Sequence, residues 1–247
     1  MDLREEFEMS FGRVKTRKII IVEIHGEDNI GYGECAAGEG PFYSYETYET
    51  ALLVLEKYLV KRVLGKNFEN PQEFRRALDF IRGHKMAKAS LEYAFWDLYA
   101  RSLGKPLYEL YGGVRKNVEV GVSIGIKKSI DELLRAIESY IDQGYRRIKI
   151  KIKPGYDVEV VREVRERFPD IPLQVDANAS YDISMIDIMK ELDKFDLLMI
   201  EQPFHYEDFV DHAYLQSEIG TPVCPVSYTH LRAHETEADL VCRLLLE

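Results

Sequence analysis

The chain has 247 residues, 46% of them hydrophobic and 31% charged, which is typical of a soluble globular protein of one or two domains. Its formal net charge of −10 argues against a general nucleic-acid-binding protein, because such a protein needs a basic face. The three cysteines form no CxxC motif, no apolar run approaches the roughly 20 residues of a membrane span, and the N-terminal segment is acidic. These features predict a cytoplasmic protein with no membrane or nucleic-acid partner.

Residues 1–115 are predicted to form an α+β domain. A strand is predicted over residues 18–26, and the segment 30–36 follows a turn as its hairpin partner. Helical periodicity comes next, with Ser44 as the predicted N-cap and Gly65 as the predicted end of the first helix. The predicted helices span residues 44–65, 71–83 and 84–104, and a short segment at 105–113 closes the domain.

From about residue 117 the pattern changes to four successive strand–helix units and a final strand. The predicted strands span residues 118–126, 146–152, 171–178, 196–203 and 221–224. The helices between them are predicted at 129–144, 157–168, 183–195 and 207–220. This alternation predicts parallel strands with right-handed crossovers, in either a doubly wound sheet or a (β/α) barrel. No Gly-rich phosphate loop follows the first strand, so we expect the barrel.

The segment RIKIKIK at 147–153 alternates cationic and isoleucine residues, which indicates a strand with two different faces. By itself this pattern is typical of an edge strand whose lysines lie in water. In a barrel, however, the isoleucines suit the helix-facing side, and the lysines then point into the interior. A buried lysine needs a compensating charge. Asp176 and Glu201 provide one, because both end predicted strands of the same barrel.

Two carboxylates beside two lysines have two interpretations that the residues alone leave open. One is a layer of structural ion pairs at the mouth of the barrel. The other is a divalent metal held by oxygen ligands, with a lysine as the base. Aspartate and glutamate oxygens suit Mg²⁺, and a neighbouring cation favours the uncharged amine of a lysine.

Several motifs in the same order resemble the enolase superfamily. The motifs are the KxK of residues 149–151, the VDAN of 175–178 and the IEQP of 200–203. Segments such as IGYGECAAGEGPFYSYET and GHKMAKASLEYAFWDLYAR are similar to the o-succinylbenzoate synthase and N-acylamino acid racemase group within it. The resemblance implies an enolase-like fold, with an α+β capping domain at 1–115 followed by part of a (β/α) TIM-type barrel at 116–225.

The resemblance also implies roles for individual residues. Lys151 would abstract the proton α to a carboxylate, and Lys149 would lie beside it and hold the substrate carboxylate. Asp176 and Glu201 would bind Mg²⁺, with Asn178 just outside the metal shell. The remaining predicted substrate neighbours are Ser123 on the first barrel strand and Phe42 and Tyr43 in a loop of the first domain.

The implied reaction is a dehydration that yields o-succinylbenzoate in menaquinone biosynthesis, acting on a small-molecule carboxylate. Racemisation of N-acylamino acids, or another epimerase or cycloisomerase reaction of the superfamily, is the alternative. A non-catalytic module that binds anions on its lysine face is the alternative of another class. Dependence on Mg²⁺ distinguishes the enzyme from the binding module. The interpretation is compatible with a homo-oligomer.

The last segment departs from the family. Residues 226–247 resemble nothing in it and are interpreted as a non-native tail. Val226 stands where the family has its third metal-binding aspartate. We therefore expect the chain as given to be inactive and, with only part of the barrel, to aggregate or stay partly unfolded. The i,i+4 spacing of His230 and His234 also raises the alternative of a zinc site in this tail.

Overall fold

The computed structural model describes residues 2–10 and 12–226 of the chain. These residues form two compact units: one of Asp2 and residues 16–118, and one of residues 3–15 and 119–226. Residues 3–15 thus group with the second unit although they precede the first along the chain. Within the described residues, no helix has the length and apolar character needed to cross a membrane. The predicted domain boundaries at 115 and 225 stay a prediction.

Four strands precede the first helix. Strand β1 (Asp2–Met9) pairs with β2 (Gly12–Thr16), and this pair was missing from the predicted elements. Strand β3 (Ile20–His25) pairs antiparallel with β4 (Ile30–Cys35), as predicted.

The helices of the first unit lie within the predicted ranges but are shorter, by as many as five residues at the end of the range 71–83. They are α1 (Tyr48–Val54), a π-helical turn (Leu55–Leu59), α2 (Val60–Val63), α3 (Pro71–Leu78), α4 (Lys85–Ser102) and α5 (Leu107–Leu110). The predicted cap at Ser44 is wrong. Thr47 caps α1 instead, because its hydroxyl accepts from the Thr50 amide at 3.2 Å while the Thr50 hydroxyl accepts from the Thr47 amide at 2.9 Å. Gly65 follows α2 with a φ of +68°, as expected of a helix-ending glycine.

Helix α4 is the centre of the first unit, and it packs directly against β4. A Cβ atom at Gly31 would lie 2.1 Å from the carbonyl oxygen of Ala94, and one at Gly33 would lie 2.0 Å from that of Ser90. Only glycine permits this approach of strand to helix. The carboxylate of Glu46, which is 2% exposed, accepts from two free amides in the first turn of α4 at 2.9 and 3.1 Å.

The second unit contains a five-stranded parallel sheet. Its strands, in spatial order, are β5 (Gly121–Ile124), β6 (Arg147–Lys151), β7 (Leu173–Asp176), β8 (Ile200–Glu201) and β9 (Val223–Cys224). The connecting helices are α6 (Ile130–Asp142), α7 (Val158–Arg167), α8 (Ile186–Leu192) and α9 (Phe209–Glu218). The spatial order equals the chain order, without the reversal that defines a doubly wound sheet. The prediction of part of a (β/α) barrel is confirmed.

The two faces of the sheet differ as the alternation predicts. Ile148, Ile150 and Ile152 are fully buried in the core that the sheet forms with its helices. Strand β6 pairs with β5 on one side and with β7 on the other, so the interpretation of β6 as an edge strand is wrong. Its lysines therefore lie on the opposite face of the sheet, which corresponds to the interior of a barrel.

Candidate active site

Two rows of polar residues cross this face of the sheet, because residues in register on parallel strands point to the same side. The row at the carboxyl ends of the strands consists of Lys151, Asp176, Glu201 and Cys224. The row below it consists of Ser123, Lys149 and Gln174. The carboxyl ends of barrel strands are where the active sites of this architecture lie.

The structure brings together the four charged residues that the sequence singled out. The ammonium of Lys149 lies 2.8 Å from Oε2 and 3.1 Å from Oε1 of Glu201, and 3.5 Å from Oδ2 of Asp176. The ammonium of Lys151 lies 2.5 Å from the same Oδ2 atom of Asp176. Each cation therefore contacts a carboxylate, which offsets the desolvation of a buried charge.

The four charged side chains differ in their exposure to solvent. Asp176 is 2% exposed, Lys151 8%, Glu201 12% and Lys149 26%. Lys151 and Asp176 form the deeply buried pair, whereas Lys149 keeps some contact with solvent. Removal of a neighbouring charge would therefore change the electrostatic energy of Asp176 more than that of the other three groups, because Asp176 has the least contact with water.

Electrostatics couples the two carboxylates. Burial and the neighbouring negative charge of Asp176 raise the pKa of Glu201 above its usual range, although Lys149 opposes this shift. Burial alone would lower the pKa of Lys149, but the hydrogen bonds and charges of Glu201 and Asp176 outweigh it, so that its pKa is raised. Lys149 is accordingly held as a cation between the two acids.

Asn178 lies in the turn that follows β7, with a φ of +47°. Its amide N–H donates to Oδ1 of Asp176 at 3.0 Å, so the turn helps to fix the orientation of the Asp176 carboxylate. Its side-chain Oδ1 is buried and has no hydrogen-bond partner within the described part of the chain. A buried acceptor of this kind is suited to a donor from a ligand or a water molecule.

The other predicted substrate neighbours differ in how far the structure supports them. Ser123 lies beside Lys149 in the lower row and is exposed on the face that carries the site. Phe42 and Tyr43 lie in the first unit, where their side chains are 81% and 62% exposed. Contact of these three residues with a substrate stays a prediction.

The sequence reasoning missed two members of the rows. Gln174 is 6% exposed, and its Nε2 donates to Oε2 of Glu201 at 2.5 Å. Cys224 is in register with Glu201 on β9. Burial and the charge of Glu201 raise the pKa of its thiol. The available signal was the alternation within LQVD, which places Gln174 on the same side as Asp176.

The turn between β1 and β2 was also missed, and it reaches the carboxyl ends of the sheet. The carbonyl of Glu8 accepts from the Ile126 amide at 3.0 Å, just beyond β5. The carboxylate of Glu8 lies 3.3 Å from the ammonium of Lys153, beyond β6. The hydroxyl of Ser10 donates to the carbonyl of Asn178 at 3.4 Å, beyond β7. The end of β1 and Ser10 in the turn after it therefore border the site.

The donor set suits a hydrated cation with two protein ligands. Asp176 and Glu201 offer carboxylate oxygens on neighbouring strands, and Asn178, two residues after Asp176, has a buried acceptor without a partner among the described residues. Residues 2–10 and 12–226 contain no group of three histidine, cysteine or acidic residues placed to hold a metal ion. Mg²⁺ commonly binds through one or two carboxylates and keeps several waters, so two carboxylates are compatible with it. The alternative zinc site at His230 and His234 lies outside the described residues, as does most of the predicted non-native tail.

Comparison with known proteins gives a family match along most of the chain. A sequence model described as enolase C-terminal domain-like matches residues 132–234. A second model, the N-terminal domain of mandelate racemase and muconate lactonizing enzymes, matches residues 1–112. The chain belongs to the enolase superfamily. The resemblance inferred from the motifs is confirmed.

Relatives within the enolase superfamily carry two different activity names. The chain is 49% identical to an o-succinylbenzoate synthase of Geobacillus stearothermophilus, over 91% of this chain and 60% of the relative. It is 47% identical to an N-succinylamino acid racemase of Thermus thermophilus, over 91% of this chain and 61% of the relative. A solved structure of an enolase superfamily member from Listeria innocua superposes with a TM-score of 0.86 at 37% identity, covering 93% of this chain and 65% of that one. The chain thus spans about three fifths of the length of the curated relatives it matches.

Proposed function

We propose that this chain carries the base and two metal ligands of a Mg²⁺-dependent lyase that dehydrates a carboxylate substrate to o-succinylbenzoate. The observation that carries the proposal is the row of Lys151, Asp176 and Glu201 at the carboxyl ends of adjacent strands, with Lys149 below it. The name of the Geobacillus stearothermophilus relative supports the choice of reaction. The sparse cysteines support a cytoplasmic location.

The reaction requires removal of a proton α to a carboxylate, which is unfavourable because negative charge accumulates on that group. Asp176 and Glu201 would hold Mg²⁺, and the ion supplies positive charge that stabilises the developing anion. Lys151 would accept the proton as the general base. Lys149 remains an ammonium, because Glu201 and Asp176 stabilise its charge, and it attracts the substrate carboxylate.

Racemisation is the second candidate, because the relative from Thermus thermophilus is named an N-succinylamino acid racemase. Both reactions begin with the same proton abstraction by Lys151. They differ afterwards, since racemisation returns a proton to the opposite face of the α-carbon, whereas in dehydration a hydroxyl group takes up a proton and leaves as water. Product analysis distinguishes them: one reaction forms an aromatic product, and the other inverts a stereocentre.

The test measures o-succinylbenzoate by its absorbance, with Mg²⁺ and with a chelator. It uses the chain itself and its Val226→Asp variant, which restores a carboxylate at the position where the family has one. We expect Val226→Asp to bind Mg²⁺ more tightly than the unchanged chain, and any product to form only in the presence of Mg²⁺. Adding Lys151→Ala should abolish product and leave Mg²⁺ binding largely intact, as measured by calorimetry.

Three results would contradict the proposal. Product formation that persists with Lys151→Ala would show that Lys151 is not the base. Product formation that the chelator does not reduce would show that the reaction does not need Mg²⁺. Inversion of an N-succinylamino acid by the same samples, without formation of o-succinylbenzoate, would favour the racemase.

A further inference from the structure

The side chain of Gln174 has no role in the proposed reaction, yet it contacts one of the proposed metal ligands. Its amide Nε2 lies 2.5 Å from Oε2 of Glu201. Register pairs Asp176 with Glu201, so Gln174 stands two positions nearer the start of its strand than the carboxylate it touches. The side chain therefore reaches along the inner face of the sheet toward the carboxyl ends.

Two donors converge on Glu201 from the row below it. Lys149 donates to both carboxylate oxygens, at 3.1 and 2.8 Å, and Gln174 donates to Oε2 alone. A lysine ammonium is a point charge that satisfies many carboxylate orientations. A glutamine amide is directional, so its hydrogen bond selects one rotation of the carboxylate.

Burial makes this contact consequential. Gln174 is 6% exposed, and a buried amide donor is rarely left without a partner. Leu173 and Val175, the residues on either side of it, are fully buried in the apolar core on the opposite face. The strand therefore fixes the direction of the Gln174 side chain.

We propose that Gln174 is a positioning residue, which orients the Glu201 carboxylate for a divalent cation through the hydrogen bond from Nε2. The inference rests on the proposed function for the identity of the cation. The contact between the two side chains is independent of it. Hydrogen-bond partners of metal ligands commonly change metal affinity by about 10- to 100-fold when they are removed.

The first experiment measures Mg²⁺ affinity by calorimetry on the chain and on Gln174→Leu, which keeps the approximate volume and removes the amide. We expect Gln174→Leu to bind Mg²⁺ about tenfold more weakly, with an unchanged circular dichroism spectrum. The matched control is Gln143→Leu, at the exposed end of α6, which should bind like the unchanged chain. Binding by Gln174→Leu within twofold of the unchanged chain would overturn the proposal.

A second variant covers the case in which Gln174→Leu does not fold. Gln174→Asn keeps the amide but is one methylene shorter, so it should not reach Glu201. We expect the same weakening of Mg²⁺ affinity, and affinity equal to that of the unchanged chain would count against the positioning role.

The second experiment is independent of the metal, so it separates this inference from the proposed function. The side-chain amide protons of Gln174 are observed by NMR in the unchanged chain and in Glu201→Ala. We expect a downfield amide resonance that moves toward free-glutamine values in Glu201→Ala. If the unchanged chain does not bind Mg²⁺, the proposed Mg²⁺-dependent function is contradicted. The NMR spectrum still shows whether the Gln174 side chain contacts Glu201. A Gln174 amide signal that does not respond to Glu201→Ala would overturn the inference.

Discussion

At the scale of single residues, the site is a cluster of charges that stabilise one another. Asp176 is central, because its Oδ2 atom lies 2.5 Å from the ammonium of Lys151 and 3.5 Å from that of Lys149. Such a cluster is worth little as a source of stability compared with apolar packing, since each charge first loses its hydration. Its presence at the carboxyl ends of the strands therefore points to chemistry and not to folding.

Replacing Asp176 by asparagine should destabilise the second unit, because it leaves Lys151 buried without a counter-charge. We expect a loss of about 3 kcal/mol in the free energy of unfolding, measured by urea denaturation. The control is Glu138→Gln, which breaks the exposed ion pair with Arg167 and should change stability by less than about 1 kcal/mol. Equal effects of the two substitutions would mean that the cluster is as solvated as a surface pair.

At the scale of elements, the strands and helices are joined by polar contacts that sequence periodicity does not report. Arg165 on α7 is the clearest case, because its guanidinium donates to five backbone carbonyls. These belong to Phe168, Pro169, Ile171, Phe195 and Asp196, at distances between 2.8 and 3.4 Å. They lie in the segments that enter β7 and β8, the two strands that carry Asp176 and Glu201.

Arg165→Met should therefore lower the free energy of unfolding more than a substitution at an exposed helix position does. It keeps an apolar stem but leaves three part-buried carbonyls without a donor, and we expect a loss of roughly 2 kcal/mol. Arg162→Met, on an exposed position of the same helix, serves as the control and should lose less than about 0.5 kcal/mol. Chemical denaturation of both variants checks this. A similar midpoint for the two would show that the five contacts contribute nothing.

Asp193 likewise makes several hydrogen bonds to the segment that enters a strand, in this case β9. Its carboxylate accepts from the amide and the hydroxyl of Thr221, both at 2.7 Å, and from the amide of Gly220 at 3.1 Å. Partial burial would raise the pKa of Asp193, but these hydrogen bonds outweigh it and the pKa is lowered. The carboxylate is therefore favoured in the folded state.

The lowered pKa makes this contribution to stability dependent on pH. The folded state binds fewer protons at Asp193 than the unfolded chain does, so the contribution is fully present above the ordinary aspartate pKa of about 3.9. It is lost as the pH falls through the lower pKa of the folded state. We expect Asp193→Asn to be less stable than the unchanged chain at pH 6, and the difference to shrink below about pH 4. Thermal melting at several pH values measures it, and a difference between the two chains that stays constant from pH 6 down to about pH 3 would contradict the role of Asp193.

At the scale of the whole molecule, the parallel sheet has two outer strands within the described residues. Strand β5 pairs only with β6, and β9 pairs only with β8. The free backbone groups of an outer strand favour pairing with another chain. A (β/α) barrel normally removes both edges by closing on itself.

We therefore predict that the isolated chain associates or remains partly unfolded. Light scattering and size-exclusion chromatography at several concentrations should show species larger than a monomer, increasing with concentration. A monomer with a single sharp thermal transition would contradict this prediction. Addition of Mg²⁺ serves as a control. A ligand that binds the folded state raises its stability but does not cover the outer strands, so the association should persist with Mg²⁺.

The alternation of residue types was sufficient to predict most of the second unit. Strand β6 follows from RIKIK, and α6 and α7 begin one residue after Ser129 and Asp157, where their predicted ranges start. The strands are shorter than predicted, most of all β8 with two residues, because residues of the segments that enter and leave each strand were counted as strand. The β1–β2 pair was missed because a charged residue, Glu5, interrupts the apolar alternation of Leu3, Phe7 and Met9.

What the sequence determined by itself is the order of the elements, the two faces of each strand and the four charged residues of the site. These depend on local periodicity and on position at strand ends, which a linear pattern records. Tertiary structure alone decided that Gln174 contacts Glu201, that Arg165 joins two loops, and that the β1–β2 turn borders the site. Each of these contacts joins segments far apart in the chain, and its partner is chosen by side-chain reach and strand register, which no local pattern specifies.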